Sequence, residues 1–466
     1  MLNAFRRRQS TQSQPIAPGP CNNLFQQIFA VRRDPLGVLL DAQHRYGDVV
    51  RFEALGYVSH LLCHPDAIRH VLQENSRNYP KSVSYDLMKP MMGEGLLTSD
   101  GDFWRRQRRL SQPAFHRQRI GAFAAIMTRI TEDMLDRWQP VAARGQWLDV
   151  SAEMTRLTLS IVSKTLFNTD VGVESNIVGK AITVAFKEFD RRLAALFALP
   201  DFVPTPSRRR LKKAIQTLDH VVYRIIEERR RSGEDIGDLL SMLVFARDEE
   251  TGESMNDKQL RDEVMAIFLA GHETTANALN WIWYLLSKHP TVERRLHNEL
   301  ATVLGGRPPT LEDLPKLSYT TMVIEESLRL YPPAWVIERR SIAADQIGPY
   351  AIPPGSTIIL SQYITHRHPA CWENPESFDP ERFTPERVAA RPRFAYFPFG
   401  GGPRICIGNN FAMMELQLVL ATIAQRYRLA LVPGHPIEPE PMITLRPRYG
   451  ILMDLVPRTE AETLRD

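Results

Sequence analysis

One cysteine lies in a segment whose composition suits a metal ligand. Cys406 belongs to the glycine-rich run 399–408, directly before a predicted helix from about Asn410 to Tyr427. Glycines allow the backbone to approach a flat ligand closely, and a thiolate is stabilised by the amides and the dipole at a helix N-terminus. The alternative is a small buried cysteine in a glycine-rich loop. The ten-residue context favours a metal-ligating thiolate.

A second set of reactive side chains interrupts a long apolar segment. The pattern predicts one helix over Asp257–Lys288, in which Glu273 is the only formally charged residue between Val264 and Ser287. An acid in the middle of a bilayer is costly, so we expect this helix to cross the core of a large soluble protein. Glu273 and Thr274 supply an acid and a hydroxyl, which together can relay protons. The alternative for Thr274 is a hydrogen bond to its own helix.

These segments resemble the cytochrome P450 family. Residues 399–408 match its haem loop, F-x-x-G-x-R-x-C-x-G, at every fixed position. Four shorter motifs occur in the family's order: Trp104 with Arg108 (W-x-x-x-R), Ala270 to Thr275 (the oxygen-activation motif), Glu326 to Arg329 (E-x-x-R) and Asp379 to Phe383. The resemblance implies a mainly α fold with small β-sheets, shaped as a helix-rich triangular prism. It also implies a monooxygenase, which inserts one oxygen atom from dioxygen into an organic substrate.

The resemblance further implies haem b as the cofactor, with Cys406 as the iron ligand. Residues that the family match places at the haem are Trp104, Arg108, Ala270, Gly271, Arg340, Phe399, Arg404 and Gly408. The arginines are expected to bind the haem propionates, because a guanidinium binds both oxygens of a carboxylate. Arg339 is an alternative to Arg340. Glu273 and Thr274 are the expected catalytic pair, and Glu273 stands where many members of the family have Asp.

Glu326 and Arg329 lie one helical turn apart, so their side chains face the same side. Alone, such a pair is usually exposed and contributes little to stability. The resemblance implies instead a buried cluster with Arg382 that holds the fold around the haem loop. We therefore expect a structural role for these three residues.

The segments expected around a substrate pocket are apolar. We expect the pocket to be lined by Met91, Leu97, Ala266, Ala270, Trp335, Val336 and Ile443, with Met88, Met92, Leu96, Phe186, Phe189 and Thr444 as further candidates. An adaptable pocket of this kind favours a small apolar substrate such as a terpenoid, a steroid or a fatty chain. Arg191 and Arg192 leave an alternative open, because either could pair with the carboxylate of a fatty acid.

The net charge is 58 − 54 = +4, which is too small to indicate nucleic-acid binding by itself. The basic N-terminus has no apolar run behind it, so we expect no signal peptide or membrane anchor and a cytoplasmic, bacterial-type protein. We also expect a monomer. About forty residues follow the last predicted helix, so electrons should come from a separate ferredoxin or flavodoxin with its reductase. We expect Arg105, Arg106 and Arg109 to face an acidic donor protein.

The periodicity predicts one domain over residues 21–466 after a mobile tail over residues 1–20. Helical patterns cover Ala122 to Trp138, Met154 to Phe167 and Leu211 to Arg231. A hairpin is predicted from Val49 to Ala54 and Val58 to Cys63, and further strands from Ser341 to Ile352, Thr357 to Tyr363 and Ile451 to Leu455.

Two other function classes remain open from the residues alone. A peroxygenase or hydroperoxide isomerase would use the same thiolate without dioxygen, but relatives of that kind usually lack the acid–alcohol pair. A haem gas sensor or electron carrier would need neither a proton relay nor an apolar pocket. Glu273 and Thr274 favour the monooxygenase over both.

Overall fold

The computed structural model describes residues 15–20, 30–54, 56–168, 179–181, 184–185, 187–188 and 205–458. The helices are α1 (Pro35–Tyr46), α2 (Pro65–Arg69), α3 (Lys89–Met92), α4 (Gly101–Ser111), α5 (Arg117–Gly121), α6 (Ala124–Ala143), α7 (Val150–Phe167), α8 (Pro206–Ser232), α9 (Leu239–Val244), α10 (Asp257–Lys288), α11 (Pro290–Leu304), α12 (Ser318–Leu330), α13 (Gln362–Thr365), α14 (Pro385–Ala390) and α15 (Asn409–Arg426). The strands are β1 (Val49–Ala54), β2 (Tyr57–Leu62), β3 (Leu148–Asp149), β4 (Ile337–Arg340), β5 (Asp345–Ile347), β6 (Tyr350–Ile352), β7 (Thr357–Leu360), β8 (Tyr427–Leu431), β9 (Pro439–Pro441), β10 (Leu445–Pro447) and β11 (Leu452–Pro457). The mainly α fold with small sheets is confirmed.

The long helix α10 has the predicted bounds. It begins after a capping box, in which the Asn256 side chain accepts a hydrogen bond from the Gln259 amide at 2.9 Å and the Gln259 side chain accepts one from the Asn256 amide at 3.0 Å. Most of its side chains are buried, and its most extensive packing is against α7. None of the helices in the described ranges has the length and hydrophobicity needed to cross a membrane.

The main sheet has four strands in the order β1-β2-β7-β4. The predicted hairpin forms β1 and β2, and β7 then pairs with β2 in parallel and with β4 antiparallel. The predicted strand over Ser341 to Ile352 is wrong in part, because the backbone turns at Gly348, whose φ is +57°. Residues on either side of this turn form the short hairpin β5–β6, and the strand that joins the main sheet lies earlier, at β4.

The start of the described chain corrects the expected tail. Residues 1–14 lie outside the described residues, but residues 15–20 run along the main sheet. The Arg51 amide donates to the Pro18 carbonyl at 2.8 Å, and Ala17 is buried in the cluster on that side of the sheet. A mobile tail over residues 1–20 is therefore too long by at least these six residues.

Helix α12 carries a buried charge cluster at its C-terminal end. Glu326 and Arg329 have no exposed side-chain surface, and Arg329 donates to both Glu326 oxygens at 2.6 and 2.7 Å. Arg329 also donates to the carbonyls of His366, Pro375 and Ser377. Its guanidinium therefore uses all of its donor groups.

Arg382 completes this cluster, with its Nε 3.4 Å from a Glu326 oxygen. The buried triad implied by the sequence is confirmed. Because its hydrogen bonds reach across about fifty residues of chain after α12, the triad fixes the path of the segment that leads to the cysteine loop.

Replacing Arg329 with methionine should destabilise the protein strongly. Arg329→Met removes the two hydrogen bonds that Arg329 donates to the buried Glu326 carboxylate, and breaking such a buried pair costs about 3–5 kcal/mol. Urea unfolding followed by tryptophan fluorescence measures the loss. Glu376→Gln is the control, because Glu376 pairs with Arg367 from a position that is 70% exposed. If the two variants lost equal stability, the triad would have no special structural role.

Candidate active site

The cysteine loop is held by backbone hydrogen bonds and by close packing at glycine. The Cys406 amide donates to the Phe399 carbonyl at 2.9 Å, which closes the loop. Gly402 has a φ of +64°, and a Cβ at this position would lie 1.8 Å from the Leu72 carbonyl oxygen. Only glycine satisfies both constraints, so Gly402 fixes how closely the loop approaches the segment that contains Leu72.

The Cys406 thiol is presented at the beginning of α15. Its side chain reaches a cavity, and the Gly408 amide donates to the sulfur. The surrounding protein keeps bulk water away and thereby raises the pKa of the Cys406 thiol. The Gly408 amide and the Arg108 charge oppose this effect. The same two groups stabilise a thiolate over a thiol.

The cavity above the thiol lies between the loop and the centre of α10 and has a volume of about 350 Å³. Ala270, Gly271 and Thr274 form one wall, and Phe399 and Cys406 belong to the opposite one. The small side chains at 270 and 271 keep the helix close to the loop. The result is a space bounded by a helix face on one side and a sulfur on the other.

Four cations line this cavity: Lys81, Arg108, Arg339 and Arg404. Arg108 donates to the Ile405 carbonyl at 3.0 Å. Arg404 donates to the Ser99 carbonyl at 3.0 Å, pairs with Asp100 and lies 4.1 Å from the centre of the Trp104 ring. Burial lowers the pKa of Arg404 to about 10. Three of the sequence-predicted residues, Trp104, Arg108 and Arg404, thus lie together here.

Arg340 does not lie with them, and this prediction is corrected. Successive residues of a strand face opposite sides, and on β4 it is Arg339 that is buried and lines the cavity. The Arg340 side chain is exposed and lines a separate polar pocket on the surface. The alternative that the sequence left open, Arg339, therefore has the position suited to a propionate.

Lys81 is a cavity residue that the sequence analysis missed. Its ammonium donates to the Leu96 carbonyl at 3.3 Å and to the Leu97 carbonyl. Burial, followed by repulsion from Arg404 and Arg339, lowers the pKa of Lys81 well below its usual value. Nothing in the local sequence signals this position, because the lysine reaches the cavity only through an isolated β-bridge between Lys81 and Arg339.

The cations that line the smaller cavity indicate whether haem fits there. Lys81, Arg339 and Arg404 repel one another, and Asp100 is the acid whose charge opposes that repulsion at both Lys81 and Arg404. The two propionates of haem b would supply the missing negative charge at this edge. The thiol then lies at the face of the same cavity. The donor set therefore fits a haem held through Cys406.

A larger cavity of about 890 Å³ adjoins the first one. The two share lining residues at Tyr85, Leu97, Ala270, Thr274, Ala334 and Ile337. Predicted substrate-binding residues that line the larger cavity are Leu97, Ala270, Trp335, Val336 and Ile443, while Ala266 lines the smaller one. Most of the lining is apolar, so the combined space suits a hydrophobic molecule that reaches the haem.

Met91 is the exception among these predictions. It is 2% exposed, packs into the main core and lines neither of the two cavities. Its neighbours Met88 and Met92 line the larger cavity instead. Phe186, Phe189, Arg191 and Arg192 lie outside the described residues.

The loop that carries Leu97 is held by two buried acids of α10. Asp262 accepts a hydrogen bond from the Glu94 amide at 2.9 Å, and Glu263 accepts one from the Leu96 amide at 3.1 Å. Gln107 of α4 donates to the same Glu263 at 3.0 Å. Burial raises the pKa of Glu263 to about 7. These bonds fix the cavity wall relative to α10 and α4.

At the centre of α10, the acid and the hydroxyl have different partners. The Thr274 hydroxyl donates to the Ala270 carbonyl at 2.6 Å, the alternative that the sequence left open, yet Thr274 lines both cavities. A Glu273 oxygen accepts a hydrogen bond from Thr444 at 2.8 Å, and Thr444 in turn accepts one from Asn277 at 3.0 Å. Asn277 was missed, although it lies one turn beyond Glu273 on the same helix face.

The three basic residues expected to face an electron donor are engaged within the chain. Arg105 pairs with Asp102, and Arg109 pairs with Asp248 at 3.0 Å. Arg106 lies 3.3 Å from Glu253. Their charges are therefore largely compensated by neighbouring acids.

Comparison with known proteins agrees with this geometry. The family described as "Cytochrome P450" matches residues 15–453. Cyclooctatin synthase of Streptomyces melanosporofaciens is 38% identical over 96% of this chain and 97% of its own. Cyclooctat-9-en-7-ol 5-monooxygenase of the same organism is 39% identical, with 90% of each chain covered. Pentalenene oxygenase of Streptomyces avermitilis is 34% identical over 90% of this chain and 92% of its own.

A solved structure gives the same result for the fold. The crystal structure of the haem domain of cytochrome P450DA is 26% identical, with a TM-score of 0.87, over 96% of this chain and 99% of that one. The family match and the relatives both span nearly the whole chain. The chain therefore belongs to the cytochrome P450 family and is a haem-thiolate monooxygenase.

Proposed function

We propose that this monooxygenase hydroxylates a neutral, terpenoid-sized substrate bound in the larger cavity. The observation that carries the proposal is the mostly apolar space of about 890 Å³ that shares Leu97, Ala270 and Thr274 with the cavity above Cys406. Two of the named relatives, a cyclooctat-9-en-7-ol monooxygenase and a pentalenene oxygenase, support a terpenoid. A pocket of this character orients a ligand by shape and a few polar groups.

We assign the holding of haem b to the cysteine loop and the cation cluster. Cys406 is the proposed iron ligand, and Lys81, Arg108, Arg339 and Arg404 are the proposed partners of the propionates. When bound, haem b supplies the reductive activation of dioxygen, from which one oxygen atom enters the substrate and the other leaves as water. The amide of Gly408 and the charge of Arg108 keep electron density on the sulfur.

Thr274 and Glu273 are the proposed proton-handling pair. The Thr274 hydroxyl donates to the Ala270 carbonyl. Both residues line the smaller cavity, and rotation of the hydroxyl would let it donate into that cavity instead. Glu273 lines the larger cavity, and Thr444 orients its carboxylate. An acid held beside a hydroxyl in this way can pass protons to the reacting oxygen. This pair favours a monooxygenase over a haem sensor or a peroxygenase.

For the electron donor, α5 offers a better surface than α4. Helix α5 follows Phe115, which packs near Gly408, and α5 itself contacts α15. Arg117 and Arg119 are exposed there, and within the described part of the chain no acid pairs with either. We propose that an acidic ferredoxin or flavodoxin docks at these two residues, on the side of Cys406.

We also propose that the protein works as a monomer in the cytoplasm. Cys63, Cys371 and Cys406 are free thiols. Free cysteines suit a reducing compartment.

The substrate class can be tested by titrating the haem-loaded protein with cyclic terpenes and with fatty acids of equal carbon number. We expect terpenes to bind at least about tenfold more tightly, because most of the cavity lining is apolar and burying a carboxylate against it is costly. Spectral titration measures binding, and turnover with a surrogate ferredoxin and reductase should give a product one oxygen atom heavier. Tighter binding of the acids, lost in an Arg191→Ala, Arg192→Ala double variant, would reverse the assignment to a fatty-acid hydroxylase.

Removing the hydroxyl of Thr274 should separate reductant use from product formation. In Thr274→Ala we expect substrate and haem binding to persist, while product per reductant consumed falls about tenfold or more because protons are no longer delivered in order. Hydrogen peroxide should rise in proportion. Thr274→Ser, which keeps a hydroxyl, is the control and should retain most of the coupling. An unchanged product yield in Thr274→Ala would exclude the proposed relay.

Reversing the charge of α5 should slow reduction by the donor. For an Arg117→Glu, Arg119→Glu variant we expect a bimolecular reduction rate about tenfold lower at low salt, and a difference that shrinks as ionic strength rises. Stopped-flow reduction by an acidic ferredoxin measures both. Arg105→Glu is the matched control, because Arg105 is already paired with Asp102. A rate that is independent of salt in the unmodified protein would contradict charge-steered docking.

A further inference from the structure

The larger cavity contains a polar cluster at β4, away from the centre of α10. Glu338 of β4 lines the cavity together with Ser84, Ser59 and Tyr85. The Ser82 hydroxyl donates to Glu338 Oε2 at 2.7 Å, and the Ser84 hydroxyl donates to the same oxygen at 2.6 Å. Around it, the cavity wall is formed by apolar side chains such as Met88, Trp335 and Ile359.

The strand geometry explains why Glu338 faces this space. Arg339 points to the smaller cavity, and successive residues of β4 face opposite sides. In register, Glu338 lies beside Ile359 of β7, which lines the same cavity. The two serines belong to the start of the helical turn Val83–Met88, which forms the neighbouring wall. The carboxylate is thus held between two rigid elements.

The arrangement leaves one carboxylate oxygen available. Both serine hydroxyls donate to Oε2, while Oε1 accepts no hydrogen bond from the described residues. Within the same part of the chain, no lysine or arginine side chain forms an ion pair with Glu338. A carboxylate that is oriented but not neutralised, beside an apolar space, is favourable only if a donor group or water satisfies its remaining oxygen.

We propose that Glu338, oriented by Ser82 and Ser84, binds a hydroxyl group already present on the substrate. The inference rests on the proposed function, in which a terpenoid occupies the larger cavity, and it narrows that substrate to a terpenoid alcohol. The hydroxyl would donate to Oε1 while another carbon of the same molecule lies at Thr274 and Ala270, where the two cavities meet. A substrate carboxylate would instead meet a charge of the same sign.

This binding mode places the enzyme after another oxygen-introducing reaction. The substrate must arrive with its hydroxyl group in place. The preceding step is therefore a hydroxylation of the hydrocarbon or a terpene cyclisation that ends by capture of water. The present enzyme then oxidises a second, distant carbon.

The test compares three ligands with one skeleton: dehydroabietane, its alcohol dehydroabietinol and its acid dehydroabietic acid. Isothermal titration calorimetry of the haem-loaded protein gives each Kd without turnover. In the unmodified protein we expect the alcohol to bind about tenfold more tightly than the hydrocarbon, since a hydrogen bond to a charged group has about that effect. The acid should bind most weakly of the three.

Two substitutions and a control then assign the preference to Glu338. Glu338→Leu should abolish the preference for the alcohol and leave hydrocarbon binding intact or improved. Glu338→Gln keeps an acceptor for the two serines, and it should reduce the preference for the alcohol and improve binding of the acid. Glu53→Gln is the control, because Glu53 belongs to the same sheet and pairs with Arg51 at 2.7 Å but does not line the cavity. The three affinities of this control should match those of the unmodified protein.

The outcomes distinguish this inference from the proposed function. If the hydrocarbon and the alcohol both bind but their ratio is the same in Glu338→Gln, Glu338→Leu and the unmodified protein, the hydroxyl subsite is wrong while the terpenoid pocket stands. If none of the three ligands binds the unmodified protein, the terpenoid assignment itself fails, and the subsite fails with it. Should Glu338→Leu not fold, Glu338→Gln alone decides, since it preserves the hydrogen bonds from Ser82 and Ser84.

Discussion

The position of the Cys406 thiol depends on the hydrogen bonds made by the buried guanidinium of Arg329. This guanidinium joins Glu326 on α12 to the carbonyls of His366 and Ser377, which lie far along the chain. His366 then accepts a hydrogen bond from the Phe397 amide at 3.0 Å, two residues before the cysteine loop begins. A chain of fixed bonds therefore connects a core helix to the loop. Burying these charges is costly, and only the nearly complete satisfaction of donors makes it stable.

A second constraint acts at the opposite wall, where α10 must be both a core helix and a reactive surface. Its centre carries Glu273 and Thr274 on the face that borders the cavities, while most of its other side chains are buried. The structure resolves this conflict by giving each polar group a hydrogen-bond partner, one from a distant segment and one within α10. Glu273 is tied to Thr444 of the C-terminal region, and the Thr274 hydroxyl has a backbone acceptor at Ala270. The Glu273 carboxylate and the Thr274 hydroxyl are therefore held at the cavity surface and are not buried in the core.

What the sequence predicts depends on how local the determining interactions are. The bounds of α10 follow from periodicity and a capping box, both of which lie within the segment. The proposed role of Cys406 and the existence of the Glu326 triad follow from spaced motifs. Lys81 could not be predicted, because it reaches the cavity through a bridge to β4, more than 250 residues later. The choice between Arg339 and Arg340 depends on which face of β4 meets the cavity, and the register of a sheet decides that.

The predicted substrate residues show the same limit at finer scale. Leu97 and Trp335 line the larger cavity, whereas Met91 does not, although its neighbours Met88 and Met92 do. Apolar composition identifies the segment that borders the larger cavity. The turn of the short helix α3 determines which of its side chains face that cavity.

The two adjoining cavities differ in the charges of their walls, because the smaller one is lined by cations and the larger one by both acids and arginines. Cations surround the smaller cavity at Lys81, Arg108, Arg339 and Arg404, which favours a flat molecule with carboxylates at one edge. In the larger cavity, the charged groups on α10 and β4 are the acids Glu273 and Glu338. Coulombic repulsion grows as the dielectric constant falls, so an apolar wall strengthens the exclusion of anionic ligands there. One strand creates this division, because Arg339 and Glu338 alternate across β4. The register of β4 therefore places the proposed propionate partner and the proposed hydroxyl-binding carboxylate on opposite sides of one strand.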